Sequence, residues 1–193
     1  MEKIGKYEVL EKIGMGGFGV VYKGRDPFIK RFVAIKTCGT EDDDIRLRFF
    51  REAEIAGNLQ HRNVVTVYDF GFHDGVPYLV QEFLSGEDLD QGIKRRDALS
   101  EERKLEILLQ VAAGLEYAHS QGVIHRDIKP GNVRVLDGGR VKIMDFGIAK
   151  LANVESQLTR TGMTLGTASY LAPEQIKGEA ITPAADVFSF GVL

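Results

Sequence analysis

Cysteine is almost missing from this sequence: Cys38 stands alone among 193 residues. No internal disulfide can form, so nothing in the chain calls for an oxidising compartment, and a cytoplasmic setting fits. Cys38 itself reads as a small apolar strand residue. Long apolar runs are also lacking. None approaches the ~18 residues of a membrane helix, and residues 1–12 are charged throughout, unlike a secretory leader. There is no excess of positive charge, with 25 Lys and Arg against 28 Asp and Glu and a net charge of -3. Without segregation of those charges, a partner made of nucleic acid is not expected. Internal repeats and low-complexity linkers are absent as well. What remains is a globular composition, 44% hydrophobic, in a chain of ordinary domain length.

The first third of that chain alternates short β-like runs with glycine-containing turns. Strands are expected over 7–13, 19–24, 32–37, 64–70 and 78–83. Between the third and fourth lies an acidic start, Glu41 to Asp44, followed by Ile45, Phe49, Ala53 and Ala56 at helical spacing. Acidic residues there cap the helix and suit its positive end. From Leu84 onward the pattern is helical. Ser100 is the expected cap of a long helix whose apolar stripe is Leu105, Leu108, Leu109, Ala112 and Leu115, although Arg103 is not the Glu of a full capping box. Two short strands, 133–136 and 141–144, flank an Asp137-Gly138-Gly139 turn. The polar stretch 152–167 reads as a long mobile loop, which in a compact domain is commonly functional.

Four motifs carry chemistry. Gly14-Met15-Gly16-Gly17-Phe18-Gly19-Val20-Val21 is a G-x-G-x-x-G-x-V between two strands. Its glycines let the backbone come close to phosphates and aim N–H groups at them. A dinucleotide-binding reading needs a helix after the last glycine, whereas Val20-Val21-Tyr22 continues as strand. Val33-Ala34-Ile35-Lys36 then ends an apolar strand on a lysine, and a helix carrying Glu52 could pair with it, holding an ammonium ready for phosphate oxygens. The other two are His125-Arg126-Asp127-Ile128-Lys129-Pro130-Gly131-Asn132 and Asp145-Phe146-Gly147. Metal-dependent phosphoryl transfer needs hard oxygen ligands, which Asn132 and Asp145 supply, and a carboxylate to orient or accept the proton of the attacking hydroxyl, which Asp127 supplies. Any one of these could be a polar loop residue capping a turn; all of them in this order could not.

Together the set resembles the eukaryotic-type serine/threonine protein kinases, with wording most similar to bacterial members, and the resemblance covers essentially the whole chain. It implies an α+β bilobal kinase fold: an N-lobe over 1–83, built as a five-stranded antiparallel sheet plus one helix, and a mainly helical, incomplete C-lobe over 84–193. It implies ATP and Mg²⁺ as cofactors and Ser or Thr hydroxyls of proteins as acceptors, a second copy of the chain included. Gly14, Gly16, Gly17 and Gly19 would cover the phosphates. Val21 and Ala34 would roof the adenine, with Ile13 also at the nucleotide, Glu82 and Leu84 giving backbone hydrogen bonds along the hinge and Gln81 in the gatekeeper position. Asp88 matches an acidic position near the ribose. Lys36, paired with Glu52, would contact the α- and β-phosphates; Asn132 and Asp145 would bind Mg²⁺; Asp127 would be the base and Lys129 would steady the γ-phosphate. Lys129 and Thr167 point to the Ser/Thr branch. Ala172-Pro173-Glu174 would close the activation segment, and Asp186 would brace the catalytic loop from a central buried helix. Arg126 needs an anionic partner, for which a phosphate on Thr159 or Thr161, aided by Lys150, is the candidate.

Departures from the family pattern set further expectations. The chain stops at Leu193, early in the central helix, and reads as a fragment whose Glu174 lacks the usual arginine. A non-catalytic ATP-binding or interaction module is the alternative this suggests, and a small-molecule kinase would leave the activation segment unexplained. Arg134 replaces the apolar residue beneath adenine and either stacks on the base or points to solvent.

Overall fold

The computed structural model describes residues 2–15, 18–96, 98–146 and 169–193. The chain divides into two compact units, Met1–Gln60 with Val65–Leu84 and His61–Val64 with Ser85–Leu193.

The first unit is an antiparallel sheet and one helix. In chain order its elements are β1 (Lys3–Ile4), β2 (Tyr7–Met15), β3 (Val20–Arg25), β4 (Phe32–Thr37), α1 (Asp43–Gly57), β5 (Val67–His73) and β6 (Val76–Glu82), and the strands lie in the order β1-β2-β3-β4-β6-β5. Five of the six strands are those expected. The sixth, β1, has two residues, too few for a periodic signal. It depends on Gly5, which has φ +58 and where a Cβ would fall 2.0 Å from the Tyr78 hydroxyl.

Strand β4 organises this unit because successive side chains leave a strand on opposite faces. Val33 and Ile35 go to a core with Ile4, Tyr7, Tyr78 and Val80. Beyond the end of β4, Cys38 joins the other core, with Phe49 and Ala53 of α1 and Leu79 of β6. Burial pushes the Cys38 thiol pKa up, as suits an inert core residue. Helix α1 forms where the acidic start predicts: Asp42 accepts hydrogen bonds from the Asp44 and Ile45 N–H groups at 3.0 and 3.2 Å. Such a cap contributes about 0.5–2 kcal/mol. Its inner face is Phe49, Glu52, Ala53 and Ala56, spaced by three and four residues.

In the second unit, β7 (Glu87–Asp88), β8 (Val133–Val135) and β9 (Val141–Ile143) make a small antiparallel sheet, joined by α2 (Leu89–Arg95), α3 (Glu101–Ser120), a 3₁₀ turn (Pro130–Asn132), α4 (Pro173–Lys177) and α5 (Ala184–Val192). Ser100 caps α3 through Arg103 N–H at 3.2 Å. Arg103 has a different task from the third residue of a capping box: its guanidinium donates to the Gly139 carbonyl at 3.0 Å and so pins the β8–β9 turn.

The buried face of α3 corrects the expected stripe. It is Ile107, Val111, Gly114, Leu115 and Ala118, while Leu105 and Leu109 are 58% and 61% exposed. Both stripes have helical spacing and share Leu115, but only the observed one carries a glycine. A Cβ on Gly114 would lie 2.8 Å from Ile143 Cδ1 and 3.1 Å from the Asn63 carbonyl, so glycine lets α3 lie close against β9.

Candidate active site

In the first unit the strand register gathers the expected residues. Val21 pairs with Lys36, Ala34 pairs with Gln81, and Lys36 pairs with Leu79. Directly paired residues share a face, so Val21, Ala34, Lys36 and Gln81 lie on the face that α1 covers. There Lys36 Nζ donates to Glu52 Oε1 at 2.7 Å, with both side chains buried. The same ammonium sits 4.9 Å from the centre of the Phe18 ring, and Phe18 meets Phe49 edge-on. A packed aromatic therefore flanks the ion pair.

The glycine-rich turn is described at its two ends, with Gly16 and Gly17 outside the described residues. Gly14 pairs with Val21 next to an irregularity at Lys12, and Ile13 is exposed. At Gly19 a Cβ would lie 2.3 Å from the Thr37 carbonyl oxygen. No other residue fits there without moving the backbone. Leu84 is buried and Glu82 half-buried; the Glu82 N–H donates to the Thr66 carbonyl while Glu82 Oε1 accepts from the Thr66 N–H.

In the second unit the site is a loop held from beneath. Asp186, fully buried on α5, accepts from the His125 N–H (2.7 Å, Oδ2) and the Arg126 N–H (2.7 Å, Oδ1), with His119 Nε2 at 2.8 Å from Oδ2. Three donors around one carboxylate satisfy a charge that would otherwise be costly to bury. His125 is equally constrained. Its Nε2 donates to the Met144 carbonyl at 2.9 Å and its Nδ1 accepts from the Asp127 N–H at 3.2 Å, which fixes a neutral imidazole. Burial holds its pKa below the ordinary histidine value, outweighing nearby Asp186.

On this base stand the charged residues. Lys129 Nζ donates to Asp127 Oδ2 at 2.8 Å, and Asn132 Nδ2 donates to the same oxygen at 3.1 Å and to the Asp127 carbonyl at 2.8 Å. The Met144 N–H donates to the Asn132 carbonyl at 2.9 Å, joining the loop to the residue before Asp145. Arg126 and Asp145 have φ of +66 and +50. Left-handed backbone at non-glycine residues is tolerated where surrounding contacts enforce it, and it concentrates at functional sites.

Some expected residues also have structural duties. Asp88 caps α2, accepting from the Gln91 N–H at 2.9 Å. Arg134 donates to the Gly86 carbonyl at 2.6 Å. Residues 147–168, which include Gly147, Lys150, Thr159, Thr161, Thr167 and the expected mobile loop, lie outside the described residues.

Other supports had no signal in the sequence. Asn63, buried, donates to Gln110 Oε1 at 3.1 Å and to the Val141 carbonyl at 2.8 Å, and its own carbonyl accepts from the Ile143 N–H at 2.8 Å. Buried Lys142 donates to the Val64 carbonyl at 2.9 Å. Nothing about an isolated Asn or a strand Lys announces such contacts.

Residues 7–193 match the family described as "Protein kinase domain". The chain belongs to that family, whose members use ATP and typically a divalent metal ion. Among curated relatives it is 40% identical over 197 residues to the serine/threonine-protein kinase PknA of Mycobacterium tuberculosis, covering 98% of this chain and 46% of that protein. It is 40% identical over 192 residues to a protein of Lactococcus lactis named probable serine/threonine-protein kinase PknB, with 97% and 30% covered. A similarly named protein of Clostridium acetobutylicum is 39% identical over 191 residues, with 97% and 29% covered. The chain thus spans less than half the length of these relatives. Among the described residues no helix is long and apolar enough to cross a membrane.

Proposed function

We propose that this chain is the catalytic part of an ATP- and Mg²⁺-dependent protein kinase that phosphorylates Ser and Thr hydroxyls of proteins. The observation that carries the reading is the Asp127 carboxylate, whose Oδ2 is held by Lys129 at 2.8 Å and Asn132 at 3.1 Å within a loop braced by buried Asp186. A carboxylate fixed in this way is suited to orient a hydroxyl and take its proton as the new P–O bond forms.

The two compact units serve as the two lobes. From the first, Lys36, oriented by Glu52, meets the α- and β-phosphates; the Gly14 to Gly19 turn offers backbone N–H groups to them; and Ile13, Val21, Ala34, Gln81, Glu82 and Leu84 receive the base. From the second, Asp88 meets the ribose and Lys129 neutralises charge on the transferred group. Asn132 and Asp145 would hold the metal. The donor chemistry fits Mg²⁺. Asn132 uses its amide N–H groups on Asp127, which leaves its side-chain oxygen to act as a hard ligand beside the Asp145 carboxylate. The bound metal would supply charge neutralisation.

Activation-loop autophosphorylation on Thr159 or Thr161 completes the reading, with Arg126 as the cation awaiting the phosphate. Such an enzyme works where ATP is supplied, in the cytoplasm. The test is phosphoryl transfer from labelled ATP to a Ser/Thr protein substrate. Asp127→Asn should retain nucleotide binding and lose roughly 10²–10⁴-fold in rate. A variant with native rate would end the assignment of Asp127, and absence of transfer by the native protein would leave an ATP-binding module.

A further inference from the structure

Gln175 is a buried polar side chain that the kinase reading leaves without a duty. It lies on the short helix α4, and its Oε1 accepts from the Ala172 N–H at 3.0 Å, closing the first turn of that helix. Its Nε2 donates to the carbonyl of Arg126 at 2.8 Å. That carbonyl belongs to the peptide that leads into Asp127, and the N–H of the same peptide donates to His125 Nδ1 at 3.2 Å. The preceding peptide is held in turn by Asp186, through the Arg126 N–H at 2.7 Å. Arg126 has φ +66, a conformation that costs about 1–3 kcal/mol for most residues and persists only when its surroundings enforce it.

Glutamine is the informative choice. Closing the helix turn needs only an acceptor, and glutamate does that as well, with a charge that favours a helix N-terminus. Glutamate cannot donate to the Arg126 carbonyl. The amide is required by the second contact alone.

We infer that Gln175 is a positioning residue for the transfer reaction: it fixes the Arg126–Asp127 peptide plane, and with it the Asp127 carboxylate, and it ties the 172–177 segment to that plane. The inference rests on the kinase reading for its catalytic consequence, but the tether can be read without activity.

The experiment compares the native protein with Gln175→Glu and Gln175→Met. Gln175→Glu keeps the Ala172 contact and sets a carboxylate oxygen against the Arg126 carbonyl. It should lower kcat about tenfold while KM for ATP and the Kd for Mg·ATP stay within about twofold. Amide hydrogen exchange of 125–128 should quicken, with exchange in α3 unchanged. Gln175→Met loses both contacts, so exchange should quicken in 170–177 as well. Native kcat in Gln175→Glu, or an equal loss of protection across the whole second unit, would overturn the inference. If the native protein transfers no phosphate, the kinase reading fails, and the exchange at 125–128 still decides whether Gln175 holds the peptide.

Discussion

Removing Glu52 should cost more stability than removing both Glu52 and Lys36. The two meet at 2.7 Å with side chains 7% and 5% exposed. In water a contact of that length is worth little, but here neither group is solvated, and breaking a buried pair by deleting one partner typically costs about 3–5 kcal/mol. Replacing both partners with apolar groups of similar volume is often neutral or stabilising. Glu52→Leu should therefore destabilise by about 3–5 kcal/mol, a large share of the roughly 5–15 kcal/mol of a whole domain. The double variant Lys36→Met with Glu52→Leu should recover most of that loss. Part of the Lys36→Met cost is the contact with the Phe18 ring, worth about 0.5–2 kcal/mol. An internal control exists: Lys104 and Glu101 also meet at 2.7 Å, but with side chains 51% and 85% exposed. That pair should couple by no more than about 1 kcal/mol. Urea unfolding of both double-mutant cycles gives the comparison directly. If Glu52→Leu costs under about 1 kcal/mol and the two cycles show equal coupling, burial does not set the value of this ion pair and the reasoning fails. The recovered double variant should also fail to bind Mg·ATP by titration calorimetry, which would separate the function of the pair from its stability.

Asp186→Asn should break one or two of the three contacts, because an amide nitrogen must face either the Arg126 N–H or the His125 and His119 donors; a drop of at least about 1.5–3 kcal/mol is expected by thermal melting, with loss of phosphoryl transfer. Gly19→Ala should destabilise the first unit by about 1–3 kcal/mol, since its Cβ would lie 2.3 Å from a backbone oxygen, whereas Gly14→Ala, with nothing within 4 Å, should stay within about 0.5 kcal/mol of native. His125 gives a pH dependence. Its pKa in the fold lies below the unfolded value of about 6.5, so the unfolded chain binds the extra proton first. Its contribution to stability is fully present above that value and is lost as pH falls from there toward the folded pKa. Unfolding free energies at pH 7.5 and 5.5 should therefore differ less in His125→Phe than in the native protein; an unchanged difference would show that His125 is not the titrating group.

Most of the fold could be read from local rules, and its departures have physical causes. The strand β4 was legible because four apolar or alternating residues are followed by a lysine, and α1 because Asp42 and its acidic neighbours start a run with helical spacing. The apolar face of α3 was not legible, because Leu105, Leu108 and Leu109 compete with Ile107, Val111 and Ala118 at the same period. Only contact with β9 breaks the tie, and the contact is set by Gly114, a residue with no hydrophobic signal of its own. The candidate site divides along the same line. Residues proposed to meet ligands come in short motifs, since their spacing is fixed by a turn or a loop: Asp127, Lys129 and Asn132 lie within six residues and their side chains meet. Residues that hold those motifs in place come from far along the chain, as Asp186 does for His125 across 61 positions, Gln175 for Arg126 across 49, and Asn63 for Val141 across 78. A support of this kind needs one donor or acceptor at one point in space, which many side chains on many elements could provide, so no pattern in sequence is required to produce it. Asp186 is legible only through its surrounding motif, which resembles a family. Gln175, next to Ala172-Pro173-Glu174, has no signal of that kind, because its amide acts through one hydrogen bond to a carbonyl far along the chain.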